Sequence, residues 1–307
     1  MKIVLTHIGS DLPSYATHCL KQFRIFNPDA ETFFIIADKY LDRNRGLFGK
    51  YRVTPVPSED LADDPIIKEL RRLSWLQKKP RPRTRFLSPP NFAHNTLERL
   101  FLLECFLRRH DYKDAFHFEN DVLIYCDLGQ TLAQIRKCPE GMYITPLSDE
   151  FVTASVLFVD KPGSLSGFCD FVLREFLKGE ERIKQETKRC VCDMTLLASF
   201  GRTGHKLNYF PILPEGEHAY FVRTFDSVFC PNSWGQFLGG TNRGNPPKYM
   251  SKRHFIGREL IKGKYDVICQ TENGLKIFYV INTLTKVRTR LSNLHIHSKK
   301  LEKYLSR

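Results

Sequence analysis

The run His117-Phe118-Glu119-Asn120-Asp121-Val122-Leu123-Ile124-Tyr125 sets two acids, one residue apart, among aromatic and aliphatic side chains. The pattern from Ala115 to Ile124 predicts a strand. Alternate strand residues share a face, so Glu119 and Asp121 are expected to project to the same side. Carboxylates at the end of a buried strand need a partner that offsets their lost hydration. A hard divalent cation is one such partner, and in an open α/β sheet ligands gather at the carboxyl ends of the strands. A solvated surface strand end is the plain alternative, and Glu-x-Asp alone does not separate the two.

Working outward, Thr96 to Arg109 has the spacing of an amphipathic helix through Leu97, Leu100, Phe101, Glu104 and Leu107. Lys2 to Thr6 reads as a strand and Ser10 to Phe26 as a helix stopped by Asn27-Pro28-Asp29. Thr32 to Ala37 is a continuous apolar strand ending at Asp38. Such a β-α-β opening with apolar strands suits a parallel sheet covered on both faces. The stretch from Lys78 to Pro90 is rich in Pro and Arg and is expected to be a loop. Cys126 to Lys137, Ser164 to Lys178 and Asp193 to Phe200 read as helices, and Met142 to Pro146 and Ser155 to Val159 as strands. Beyond Pro211 the texture changes to Gly, Asn, Pro and aromatic residues. A hairpin follows, Val267 to Thr271 and Leu275 to Ile281 about an Asn273-Gly274 turn. The expected fold is α/β: a mostly parallel, Rossmann-like central sheet flanked by helices, with a C-terminal part rich in short strands. There is no internal repeat.

Bulk properties narrow the class. A chain of 307 residues with 42% hydrophobic and 26% charged residues has the composition of a folded globular protein. The opening Met1 to His7 passes straight into a β-type run too short for a signal peptide, and no segment approaches 18 uninterrupted apolar residues. A cytoplasmic location is the expectation, with a bacterial source or, for a virus, the host cytoplasm. The 9 Cys are odd in number and scattered, which argues for reduced thiols. Cys190 and Cys192 form only a C-x-C pair, short of a zinc-ribbon set. Net charge is +13, and Thr241 to Arg307 carries 15 Lys or Arg against 4 Asp or Glu. Arg71 to Arg85 adds seven basic residues and no acid. Such fields favour nucleotide phosphates, polyanions or peripheral contact with an anionic membrane.

Further blocks join the acidic one. Asn293-Leu294-His295-Ile296-His297-Ser298-Lys299-Lys300 alternates, so His295 and His297 share a face while Leu294 and Ile296 turn inward. Phe229 to Thr241 contains Trp234-Gly235-Gln236, whose glycines permit close backbone approach and whose Trp, if exposed, would stack on a sugar. Cys192-Asp193-Met194-Thr195 reads as a helix start with Asp193 at the cap.

Together these blocks resemble glycosyltransferases of the GT-A fold, whose Asp-x-Asp motif has variants including Glu-Asn-Asp before a short apolar stretch. The Trp-Gly-Gln loop is similar to that of bacterial and viral members. The resemblance implies an enzyme that moves a sugar from a nucleoside diphosphate sugar to an acceptor hydroxyl. It implies Mn²⁺ or Mg²⁺ held by Glu119 and Asp121 with His295 or His297, of which His297 is the first choice. Lys299 and Lys300 would face the diphosphate, Arg99 the donor, and Asn120 would belong to the same site. Thr6 to Ile8, with His7, and Asp38 fall where the nucleoside lies. Trp234 and Gln236 would meet the acceptor, a glycan or glycoconjugate, and Asp193 would be the base, with Asp149, Glu150 and Asp226 as alternatives. A UDP-sugar is placed ahead of a GDP-sugar. Residues 1–145 would form the nucleotide-sugar half and 146–307 the acceptor half of one compact unit.

Two competitors stand beside this reading. A sugar-phosphate nucleotidyltransferase shares the framework, but such enzymes carry a Gly-rich basic loop after the first strand, where this chain has His7-Ile8-Gly9-Ser10-Asp11-Leu12-Pro13. A basic binder of nucleic acid or anionic membrane would use salt-sensitive contacts and leaves the acidic strand unexplained. No nucleic-acid partner is therefore expected.

Overall fold

The computed structural model describes residues 1–73, 92–179, 191–205, 207–241 and 245–306. The expected loop from Lys78 to Pro90, and Cys190, lie outside them. In chain order the elements are β1 (Lys2–His7), α1 (Ala16–Phe26), β2 (Glu31–Ile36), α2 (Leu41–Lys50), β3 (Val53–Pro57), α3 (Pro65–Arg72), α4 (Phe92–Arg109), β4 (Ala115–Phe118), β5 (Val122–Ile124), α5 (Leu128–Ile135), β6 (Met142–Ser148) and β7 (Phe151–Val159). There follow α6 (Ser166–Leu177), α7 (Asp193–Arg202), β8 (Leu207–Tyr209), α8 (Val222–Phe225), β9 (Ser227–Val228), α9 (Ser233–Gly239), α10 (Phe255–Ile261), β10 (Tyr265–Glu272), β11 (Leu275–Asn282), β12 (Arg288–Leu291) and β13 (Asn293–His295).

The central sheet has seven strands in the order β3-β2-β1-β4-β7-β6-β8. Only β7 runs against its neighbours; the other pairings are parallel. The sheet is therefore mostly parallel and flanked by helices, as the apolar strands lead one to expect. Ile3, Leu5, Phe34, Ile36, Phe116 and Phe118 pack on one face with Leu20 and Phe23 of α1. Val4, Phe33, Ile35 and Ala115 turn to the other face, under Leu97 and Phe101 of α4 and Leu196 of α7. Each strand is apolar on both sides because each side is covered. Strands from either side of residue 145 enter this one sheet.

Ala115 to Ile124 is two strands, not one, because the chain leaves the central sheet at Glu119-Asn120-Asp121. The Glu119 amide still donates to the Ser155 carbonyl (3.2 Å), and the Val122 amide folds back onto the Glu119 carbonyl (3.1 Å), which closes a turn. β5 then pairs antiparallel with β13 in a separate two-stranded ribbon, with His295 opposite Val122. Buried Val122 to Tyr125 stay in the core while the acids are turned out at the carboxyl edge of the sheet. Likewise α1 starts at Ala16, not Ser10, since Gly9 at φ +91° and Pro13 keep the intervening loop out of helix.

The remaining strands form a four-stranded sheet, β10-β11-β12-β9, including the expected hairpin. Its Asn273-Gly274 turn has φ of 50° and 79°, the left-handed pair that a two-residue hairpin connection requires. Among the described residues no helix is long and apolar enough to cross a membrane, and the cysteines are free thiols.

Candidate metal centre

Glu119, Asp121 and His295 each offer one ligand atom, and these atoms lie within 4.8 Å of one another. His295 Nε2 is 3.1 Å from Asp121 Oδ2 and 3.4 Å from Glu119 Oε2. The Lys299 ammonium also contacts Asp121 Oδ2. The trio is recessed, with the Glu119 and Asp121 side chains 19% and 5% exposed. Two carboxylates and one imidazole are a donor set that can hold a divalent cation.

Burial would raise the Asp121 carboxyl, but His295 and Lys299 outweigh it and hold the group well below the usual carboxylate range. For Glu119, burial is likewise overcome by Arg99 and His295, so its pKa is lowered. Burial lowers His295, yet Asp121 and Glu119 more than reverse this and raise it. Both acids are therefore anionic at neutral pH, the state a cation requires.

Each member is held from behind. Arg99, on α4, is buried and places its guanidinium between Glu119 and Asp193, the latter at 2.7 Å. The two acids respond differently: burial dominates at Asp193 and raises it, although Arg99 is beside it. The His295 ring sets Nδ1 3.4 Å from the Pro231 carbonyl, which orients Nε2 toward the acids. Asn293, two residues earlier, receives the Cys230 amide (2.9 Å) and donates to the Cys230 carbonyl (3.1 Å). The Ile296 amide donates to the Asp121 carbonyl (3.0 Å). From α1, the Cys19 thiol and Gln22 amide donate to Val122 and Ile124 carbonyls at 3.1 and 3.2 Å.

Several expected site residues take other places. Trp234 is 0% exposed: its Nε1–H donates to the Ile212 carbonyl (3.2 Å) and its ring is packed in the core, so it cannot stack on a sugar. Gln236 is buried beside it. The segment instead backs the strand that carries His295, because a Cβ on Gly235 would fall 1.9 Å from the His295 carbonyl oxygen. Asp193 is the first residue inside α7, with Cys192 at the cap. It sits behind Glu119 with Arg99 between, a position for holding Arg99 in place. His295, not His297, joins the acids; the His297 ring lies 6.4 Å from that of His295, and burial lowers it to about 4. Lys299 is at the acids while Lys300 is exposed.

Asn120 turns toward β1, its amide nitrogen 2.9 Å from His7 Nδ1, while His7 Nε2 lies 3.1 Å from the Asp11 carbonyl. An Nε2–H tautomer satisfies both contacts. Thr6 is buried at the same strand end, and Asp38 is exposed after β2 with its amide donating to Glu59 (2.9 Å). Tyr15 was missed from the sequence: the Lys299 ammonium lies 5.5 Å from its ring centroid, and Asp121 and Glu119 act on its hydroxyl. It had the look of one more apolar position on a helix, with no neighbouring motif to single it out.

No family model matches the chain, and no curated protein matches it by sequence. Solved structures with a similar fold include mouse xyloside xylosyltransferase 1 (8% identity, TM-score 0.49, covering 73% of this chain and 93% of that one). The PaToxG glycosyltransferase is similar at 13% identity and TM-score 0.45, over 66% and 69% of the chains. A cytidylyltransferase from Leptospira borgpetersenii is also similar (8%, 0.39, 71% and 76%). These similar structures thus include glycosyltransferases and a cytidylyltransferase.

Proposed function

We propose that the chain is a metal-dependent glycosyltransferase that moves a sugar from a nucleoside diphosphate sugar, a UDP-sugar first, to a hydroxyl of a glycan or glycoconjugate. The observation that supports this most is the meeting of Glu119, Asp121, His295 and Lys299 at the carboxyl edge of the sheet. Glu119, Asp121 and His295 would hold Mn²⁺ or Mg²⁺, which when bound offsets charge developing on the departing diphosphate. Lys299 stays protonated beside Asp121, since Asp121 outweighs the lowering effect of burial, and adds positive field toward the same leaving group. Arg99 fixes the Glu119 carboxylate, and Asp193 fixes Arg99. The His7–Asn120 contact ties the end of β1 to the acidic turn, so the nucleoside would lie along Thr6, His7 and Asp38 with its phosphates toward Asp121. Residues up to 145 then supply most donor contacts, and later residues supply His295, Lys299 and the acceptor side.

The test is thermal stability of the full chain with UDP-, GDP- and CDP-sugars and with CTP, each with and without Mn²⁺. Stabilisation by one nucleoside diphosphate sugar that needs Mn²⁺, followed by release of the nucleoside diphosphate, is the expected result. Stabilisation by CTP with pyrophosphate release would replace this reading with nucleotidyl transfer.

A further inference from the structure

With Trp234 closed into the core, the acceptor must be met elsewhere at the carboxyl edge. β6 points the same way as β4, because β7 is antiparallel to both. Its outer end, the Asp149-Glu150 turn, is therefore on the same side of the sheet as the acids. The β6–β7 hairpin continues outward from Ser155, which bonds Glu119, to Phe151, roughly 13 Å at the usual strand rise. That span is longer than one sugar ring.

At the hairpin tip stands a group that the metal site does not use. Tyr220 is 37% exposed, its ring 5.4 Å from that of Tyr209 and 6.0 Å from that of His218. His218 Nδ1 is 3.2 Å from the Tyr220 hydroxyl, and the His218 ring stacks on Phe255 at 3.7 Å, which fixes the assembly to α10. Asp149, 76% exposed, is 3.4 Å from Arg258, and its carbonyl receives Arg202 at 3.0 Å. Arg258 links the two parts: its guanidinium lies 5.5 Å from the centroid of the Phe255 ring on which His218 stacks, and it also contacts Asp149. Tyr220 holds this position at φ +34°, a conformation an aromatic residue rarely takes, so its backbone is held there by its surroundings.

Aromatic faces suit the apolar C–H face of a pyranose; a carboxylate can accept from its hydroxyls, and the guanidinium groups beside it can donate to them. Asp149 and Glu217 disfavour a polyanion. We propose that Tyr220, His218 and Asp149 form a subsite for a sugar unit of an extended glycan acceptor, remote from the hydroxyl that reacts. The proposal rests on the glycosyltransferase reading and narrows its acceptor to an oligosaccharide or polysaccharide.

The test is binding of the labelled full chain, with UDP and Mn²⁺, to an array of oligosaccharides and their component monosaccharides. Wild type should bind oligosaccharides over the matching monosaccharides. Tyr220→Ala should lose roughly tenfold, the size of one aromatic contact, and Tyr220→Phe should lose little. Asp149→Asn, a change in an exposed turn, should also weaken binding and guards against a folding defect in Tyr220→Ala. Stabilisation by UDP and Mn²⁺ should survive these changes and be lost in Asp121→Asn. Equal glycan binding by wild type, Tyr220→Ala and Asp149→Asn would overturn the subsite while leaving the metal site standing. Binding of monosaccharides alone, or of no glycan, would do the same. Unchanged stabilisation of Asp121→Asn would overturn the underlying reading and the subsite with it.

Discussion

Asp121 joins two distant parts of the chain: its carbonyl receives the Ile296 amide, and its carboxylate meets His295 and Lys299. Replacing it with Asn keeps the shape and removes the charge, so metal-dependent donor hydrolysis should fall by at least about 100-fold, the loss typical of one preorganised charge-stabilising group. Turnover of Asp121→Asn within a few-fold of wild type would rule out that role. Arg99 is a second sensitive position, because a planar guanidinium reaches both Glu119 and Asp193, whereas an ammonium is a point charge. Arg99→Lys should cost about 2 kcal/mol in denaturant unfolding, through one buried acid left without its charged partner. Away from the metal, burial lowers the His254 imidazole from 6.5 to about 4. The unfolded chain binds this proton first, so the contribution of His254 is in place above pH 6.5 and is lost as pH falls toward 4, by about 2 kcal/mol at pH 5. His295, raised by Asp121, has the opposite slope, so the comparison is with His254→Gln, whose stability should fall less between pH 6.5 and 5. Equal slopes would show that His254 titrates normally.

At the scale of elements, sequence periodicity was reliable where burial is two-sided or alternating and weak where the chain turns for chemistry. β1, β2 and the β10–β11 hairpin lie within a residue or two of their expected bounds, because the apolar run and the Asn-Gly turn each have one physical cause. The acidic strand was read as continuous because Ala115 to Ile124 keeps its apolar content across the break. Nothing local shows that Val122 to Ile124 pairs with residues 293–295 instead of extending β4. The Trp-Gly-Gln segment leaves two arrangements open in the sequence, a Trp exposed to stack on a sugar or one packed into an aromatic turn, and the structure takes the second. The pairing of its Nε1–H with Ile212, and the approach of Gly235 to His295, are tertiary facts. Gly235→Ala should therefore act on the placement of His295 as well as on stability. Overpacking there is expected to cost about 1–3 kcal/mol, and displacement of His295 to weaken Mn²⁺ binding by roughly 10- to 100-fold. A variant that melts lower but binds Mn²⁺ as wild type does would confine Gly235 to packing.

For the molecule as a whole, the fold class was legible because its evidence is spread along the chain, in alternating β and α elements and fully apolar strands. The site was legible only in part. Glu119, Asp121, His295 and Lys299 were named from short blocks, whereas the choice between His295 and His297 depends on the register of β13 against β5. That register puts His295 opposite Val122, next to the acidic turn, and the C-terminal segment is fastened by Gln22 to Ser306 and by Tyr125 to Tyr304. A metal at this place would thus link the first helix, the acidic turn and the C-terminal strand. The most direct measurement is calorimetric titration of Mn²⁺ into the full chain saturated with UDP, for wild type, Asp121→Asn, His295→Ala and His297→Ala. One Mn²⁺ per chain is expected, bound at least about tenfold more weakly after Asp121→Asn or His295→Ala and within about twofold of wild type after His297→Ala. No Mn²⁺ binding by wild type, or binding that His295→Ala leaves unchanged, would contradict it.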